Sequence, residues 1–183
     1  MEAVWVAGCS GYETTGVIHL LKGCGVSVRL FRPGERLRAG DTLILCFSSA
    51  PLLGWWRYLK ITQWVAYRYD IRLIVLCPDE VCRTDVVCGR NIVTVNGERS
   101  CIHLSLSLQQ TVQRCLPDGM PESQWDCVKS FLERASQTLR IFPVRESEDS
   151  AIRRAYQKRD LMVQRLGFVS LMRLKVFMAG HLP

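Results

Sequence analysis

Residues 72–77 read Arg72-Leu73-Ile74-Val75-Leu76-Cys77, and residues 41–47 read Asp41-Thr42-Leu43-Ile44-Leu45-Cys46-Phe47. Neither alternates polar with apolar side chains. Their centres, Leu43-Ile44-Leu45 and Leu73-Ile74-Val75-Leu76, are the near-continuous apolar runs expected of parallel strands covered on both faces. Working outward, residues 4–7, 26–31 and 91–96 read as further strands, and residues 12–22, 59–67 and 107–115 as helices. Five strands alternating with helices over about 115 residues predict a doubly wound α/β domain of flavodoxin-like order. Trp55, Trp56, Tyr58, Trp64, Tyr67 and Tyr69 crowd the third crossover. That stretch holds too little charge for a nucleic-acid platform, so these rings are expected in the core or against a partner.

The chain has 183 residues, 48% of them hydrophobic, and a formal net charge of +7. It can bury a real core, in one or two domains. No run of 18 apolar residues exists, and the start Met1-Glu2-Ala3-Val4-Trp5 lacks the cationic leader of a secretory signal. The expectation is a cytoplasmic protein without a membrane span. Leu116-Pro117-Asp118-Gly119 reads as a turn between two units, residues 1–117 and 120–183. The second unit is the more basic per residue, as a nucleic-acid-binding tail would be.

The nine cysteines are odd in number and never spaced Cys-x-x-Cys. Several sit in apolar runs, where a thiol behaves as a small hydrophobe, so no disulfide framework is expected. Cys77, Cys82 and Cys88 with His103 do not have a recognised ligand spacing, and no metal or other cofactor is expected. A minority reading gives Cys82 or Cys88, flanked by polar and charged residues, a redox-sensing role. An enzyme using Cys9 or Cys46 at a strand end is a further alternative, but Gly8-Cys9-Ser10-Gly11 lacks the third glycine and downstream acid of a phosphate-binding loop. His19, His103 and His181 lie far apart. The chain is expected not to be an enzyme.

Residues 150–175 carry Arg153, Arg154, Lys158, Arg159, Arg165, Arg173 and Lys175 against the single acid Asp160. At 3.6 residues per turn, Ile152, Ala155, Met162 and Leu166 fall on one side of a helix, and Arg153, Gln157, Asp160 and Gln164 on the other. Such a helix docks by one face and offers cations and amides by the other, where phosphates and base edges can be met. The plain alternative is a solvated basic face on a core helix. Gln164-Arg165-Leu166-Gly167-Phe168 then closes the helix with a capping glycine before a last apolar segment, residues 171–178. Residues 122–134 supply an earlier helix with Trp125, Val128, Phe131 and Leu132 at helical spacing. A helix within residues 136–147 would be interrupted or started by Pro143.

The ending Arg165-Leu166-Gly167, a short turn and a final packing helix resembles the LuxR/FixJ-type (GerE-like) helix-turn-helix domain, over roughly the last third of the chain. Counting back, the resemblance implies a recognition helix at residues 150–165 with Ala155 and Met162 at its apolar positions. It implies contacts to double-stranded DNA from Tyr156, Gln157 and Asp160, alongside the cations Arg153, Arg154, Lys158 and Arg159. Asp160 stands where the family usually has a cation. The preceding α/β part is similar to a response-regulator receiver, but Gly8-Cys9-Ser10 replaces the acidic pair, Cys46-Phe47-Ser48-Ser49 the phosphoacceptor site and Val95-Asn96-Gly97-Glu98 the lysine region. This looks like the atypical LuxR-type regulators of enteric bacteria, with a pseudo-receiver that is not phosphorylated. The resemblance implies a DNA-binding transcriptional regulator acting as a homodimer or as a heterodimer with a LuxR-type response regulator. The third crossover and residues 79–91 are then the expected pairing surfaces. The alternative is an interaction-only protein that sequesters another regulator without binding DNA.

Overall fold

A computed structural model describes residues 3–32, 34–84, 86–87, 89, 91–113, 124–141 and 149–181. Five strands, β1 (Val4–Gly8), β2 (Val28–Leu30), β3 (Thr42–Cys46), β4 (Arg72–Cys77) and β5 (Ile92–Asn96), form one sheet in the order β2-β1-β3-β4-β5. Every pairing is parallel, with Val6 opposite Ile44, Ile44 opposite Ile74 and Ile74 opposite Val93. That order is the flavodoxin-like one. The apolar runs are central because both faces are covered: in β3 and β4 all but Arg72 are buried.

Successive side chains point to opposite faces. Val6, Ile44, Cys46, Ile74, Leu76 and Val95 form one cluster with Val17 and Leu21 of α1 (Gly11–Gly23) and Leu104 and Leu108 of α4 (Cys101–Gln113). Leu43, Leu45, Leu73, Val75 and Cys77 form the other cluster. Its cover comes from α2 (Trp56–Arg68) and from α5 (Gln124–Leu139), α6 (Asp149–Arg165) and α7 (Leu171–Phe177). On this second face the described residues of the crossover from β4 to β5 hold only α3 (Asp79–Cys82), a single turn. The C-terminal helices take the place that a longer crossover helix would occupy.

The contact is specific. The Gly54 N–H donates to the Val176 carbonyl at 2.9 Å, and Trp56 Nε1 donates to the Ala179 carbonyl at 2.9 Å. Trp55, fully buried, stacks 6.2 Å from Phe177, which in turn lies 5.2 Å from Phe168 and 5.9 Å from Phe131. Gly54 has φ +69 and its missing Cβ would lie 3.2 Å from the Ala179 oxygen, so a side chain would be strained and crowded there. Trp55 and Trp56 are thus core residues whose partner is the chain's own C-terminus, whereas Trp64 and Tyr67 are 56% and 77% exposed.

Two expectations need correction. The helix expected from residue 107 begins at Cys101: Ile102, Leu104, Leu106 and Leu108 alternate like a strand, but only Leu104 and Leu108, one helical turn apart, are buried. The first residues of the stretch 136–147 expected to hold a separate helix instead extend the preceding one, since α5 continues unbroken to Leu139 and carries Ala135 and Leu139 into the core. Residues 142–148, including Pro143, and the expected boundary at residues 116–119 lie outside the described residues.

Candidate nucleic-acid interface

The helix expected at residues 150–165 is α6, and its end is built by sequence. Gly167, at φ +85, donates its N–H to the Gln164 carbonyl at 2.9 Å, and the Phe168 N–H reaches the Val163 carbonyl at 3.2 Å. This pair is a Schellman cap, and its usual apolar contact is supplied by Val163 and Phe168, both buried. Ser170 then caps α7, its hydroxyl accepting from the Arg173 N–H at 3.3 Å. A Cβ on Gly167 would come within 2.8 Å of the Arg83 oxygen, so the same glycine lets the α6–α7 turn rest on the segment after α3.

Around α6, Val163 and Leu166 are buried, and Ala151, Ile152, Ala155, Arg159 and Met162 are half-buried. Arg153, Arg154, Tyr156, Gln157, Lys158, Asp160, Gln164 and Arg165 are exposed. The packing stripe thus includes Val163, beyond the expected line of Ile152, Ala155, Met162 and Leu166, and is wider on the Arg159 side. Arg159 lies with its guanidinium 4.8 Å from the centre of the Tyr156 ring, and its Nε is buried without a hydrogen-bond partner. A cation held over a ring face is stabilised by the ring quadrupole, which ties Tyr156 and Arg159 to each other. A shallow groove of about 350 Å³ runs along Arg154, Gln157, Lys158, Leu161, Met162 and Arg165. Gln157 and Lys158 stand beside one another on its wall, and Leu161, 56% exposed, gives it an apolar patch.

At the carboxyl ends of the strands, where doubly wound folds place their chemistry, a residue absent from the sequence expectations dominates. Glu13, in the first turn of α1, accepts hydrogen bonds from the Ser48 and Ser49 N–H groups, each at 3.1 Å, and from both serine hydroxyls. Both oxygens of the one carboxylate are engaged. The signal in the sequence was Ser10-x-x-Glu13, the pattern of a capping box. Ser10 does accept from the Glu13 N–H, but the Glu13 side chain turns away to the β3 loop. Gly97 allows this closure, since a Cβ there would fall 2.2 Å from the Ser48 hydroxyl. Among the described residues no three His, Cys, Asp or Glu side chains gather as metal ligands.

The other candidate residues are dispersed. Cys46 is fully buried and burial pushes its thiol well above the ordinary value, unlike a nucleophile. Cys77 meets Cys82 with sulfurs 2.9 Å apart. His103 belongs to α4, which covers the opposite face, and hydrogen-bonds Ser100 at 2.8 Å; Cys88 lies outside the described residues. At the other end of the sheet, buried Asp41 accepts from the N–H groups of Ala3 (2.9 Å) and Arg38 (2.9 Å) and from Trp5 Nε1 (3.2 Å). Burial alone would raise its carboxyl, but these bonds and the Arg38 charge outweigh burial and hold it below its ordinary value.

No helix among the described residues is long and apolar enough to cross a membrane. Comparison with protein-family models and with curated protein sequences gave no match to this chain. Among solved structures, the chain is similar to the regulatory domain of the master biofilm regulator CsgD, at 17% identity and a TM-score of 0.46 over 62% of this chain and 88% of that one. It is similar to the Salmonella typhimurium RcsB response regulator, at 14% identity and a TM-score of 0.37 over 95% and 96%. A third such structure is the response regulator StyR, at 16% identity and a TM-score of 0.34 over 94% and 96%.

Proposed function

We propose that this chain is a DNA-binding transcriptional regulator of LuxR type whose receiver-like part works without aspartyl phosphorylation. The observation that carries the reading is α6: a capped helix, anchored by Val163 and Leu166, whose outward face carries Arg153, Arg154, Gln157 and Lys158. Long cations at the edges of such a helix meet phosphates, while Arg153 and Gln157, opposite the packing stripe, reach base edges in a major groove. Asp160 on the same side accepts from a cytosine amino group or repels phosphate. Independence from phosphorylation is supported by Glu13, whose carboxylate is consumed by Ser48 and Ser49 at the place where a receiver needs free acids and an aspartate. The regulator acts in the cytoplasm as a homodimer or as a heterodimer with a LuxR-type response regulator. Residues 1–117 form its receiver-like part and 120–183 its helix-turn-helix part.

The test is a mobility-shift titration on genomic fragments, with and without a LuxR-type partner, at two salt concentrations. The expected result is a salt-sensitive, site-preferring complex. A second reading, the interaction-only protein, is favoured by Arg159, which turns toward Tyr156 and the packing side. Absence of any site preference in that titration, with retained binding to the partner regulator, selects it.

A further inference from the structure

Cys77 ends β4 and Cys82 ends α3, five residues later. The N–H groups of Val81 and Cys82 both donate to the Pro78 carbonyl at 3.0 Å, so the chain doubles back within one turn. This brings the two sulfurs to 2.9 Å, closer than two sulfurs sit in ordinary packing, and puts Cys82 Sγ 3.7 Å from the Cys77 carbonyl oxygen. The two thiols are unequal. Cys77 is fully buried, whereas Cys82 is only half-buried and open to a small reagent.

We infer that Cys77 and Cys82 form a reversible, oxidant-sensitive dithiol that closes to a disulfide when a peroxide reaches Cys82. Cys82 gives up its proton and the thiolate attacks one peroxide oxygen. The O–O bond breaks, and a sulfenic acid forms on Cys82 while the departing hydroxide takes that proton and leaves as one water. The Cys77 sulfur then attacks the Cys82 sulfur. The S–O bond breaks, the S–S bond forms, and the proton of Cys77 leaves with the hydroxyl as a second water. Two thiols lose two electrons and two protons, and one peroxide becomes two waters.

The electrostatics favour that order of events. The hydrogen bond from Cys77 holds the Cys82 thiol below its ordinary value, against burial and the Asp79 and Glu98 carboxylates and with help from Arg99. The same bond, together with burial, pushes Cys77 up, so Cys82 is the more acidic of the two and meets the peroxide first, and Cys77 is the resolving thiol. Closing the pair needs little backbone movement, because bonded sulfurs stand about 2.05 Å apart. The bond would form beside the residues that support the C-terminal helices. Glu80 of α3 pairs with Arg173 of α7 at 3.3 Å, and Arg83 and Thr84 abut Gly167 at the end of α6.

The chain supplies a direct assay, since trypsin cutting after Arg72 and Arg83 leaves both cysteines in one peptide, residues 73–83. The full-length protein is treated with graded hydrogen peroxide, quenched, denatured, labelled with N-ethylmaleimide and digested. The expected result is that this peptide loses both labels and appears two hydrogens lighter than the dithiol form. The loss comes at lower peroxide than any label loss from the exposed Cys9, Cys101 and Cys127, and dithiothreitol restores both labels. In the Cys82→Ser protein, Cys77 should keep its label at the same peroxide. The inference is overturned if residues 73–83 keep both labels while Cys101 and Cys127 lose theirs. It is equally overturned if Cys82 proceeds to a sulfinic acid with Cys77 still labelled.

Discussion

The two faces of this sheet are closed in different ways. Val6, Ile44, Ile74 and Leu76 are covered by Val17, Leu21, Leu104 and Leu108, aliphatic side chains from α1 and α4, helices directly connected in sequence to strands of the sheet. Leu43, Leu45, Leu73 and Val75 belong to a cluster rich in rings, Trp55, Trp56, Phe131, Phe168 and Phe177, three of which come from beyond residue 123. The first face is finished by helices next in sequence to their strands, α1 after β1 and α4 after β5. The second is left open by the single turn of α3, and distant helices with large aromatic side chains fill it. α6 joins that cover through Val163 and Leu166, in the same cluster as the buried side chains of α5 and α7.

The largest expected effect comes from breaking the aromatic cover. Phe177→Ala removes a fully buried ring stacked on Trp55 and should cost about 3–5 kcal/mol. In urea unfolding, the tryptophan signal and the helical signal should both shift to lower denaturant. If the tryptophan transition stayed in place, the C-terminal helices would not be part of the cover.

Gly167→Ala should come next, at roughly 1–2 kcal/mol for the left-handed conformation alone, because the added carbon also meets the Arg83 backbone. Midpoint shifts in the same unfolding assay measure it, and an unchanged midpoint would mean that the α6 cap is not seated against the α3 segment.

On the outward side of α6, Gln157→Ala should cost about 1–3 kcal/mol on a preferred duplex and little on a scrambled one, whereas Lys158→Ala should weaken both and reduce the salt slope by about one. Replacing Asp160 with lysine should raise affinity for scrambled DNA. Equal and negligible effects of Gln157 and Lys158 would remove DNA from the interpretation of this face.

Asp41 tests the aliphatic-to-aromatic comparison from the N-terminal edge. Its folded carboxyl is held below the ordinary value, so its contribution is complete above the unfolded value of about 3.9 and is lost as pH falls through the lower folded one. Asp41→Asn should therefore lower stability at neutral pH and flatten the acid limb of a stability-against-pH curve. An acid limb identical to that of the parent protein would contradict the depressed carboxyl. Smallest of all, Arg173→Ala should change stability by no more than about 1 kcal/mol, because Arg173 is 55% exposed in its pair with Glu80.

Much of the sheet was legible because buried parallel strands are written as unbroken apolar runs: β4 has the bounds expected for it, and β3 falls one residue short at each end. The α6 end was legible too, since a Schellman cap needs a glycine at one position and an apolar pair around it, and Val163, Gly167 and Phe168 supply them. Glu13 was not, because a capping-box pattern names a glutamate without saying whether its carboxylate turns back to its own helix or across to a neighbouring loop. The half-burial of Arg159 was not legible for a related reason: helical angles give a cation's direction, but the width of the packing stripe depends on what lies beneath it.

By itself, then, the sequence determined the five strands, the helical periodicities and the capped basic helix, all of which follow from contacts within a few residues and from runs too apolar to face water. Only the tertiary structure decided what covers the second face of the sheet and where Trp55 and Trp56 find their partners. It alone decided that two cysteines five residues apart meet at the end of β4. The aromatic contacts join segments whose separation in sequence carries no local signature, and they are selected by the shape of the gap that α3 leaves, whereas the cysteines meet because the chain turns back on the Pro78 carbonyl.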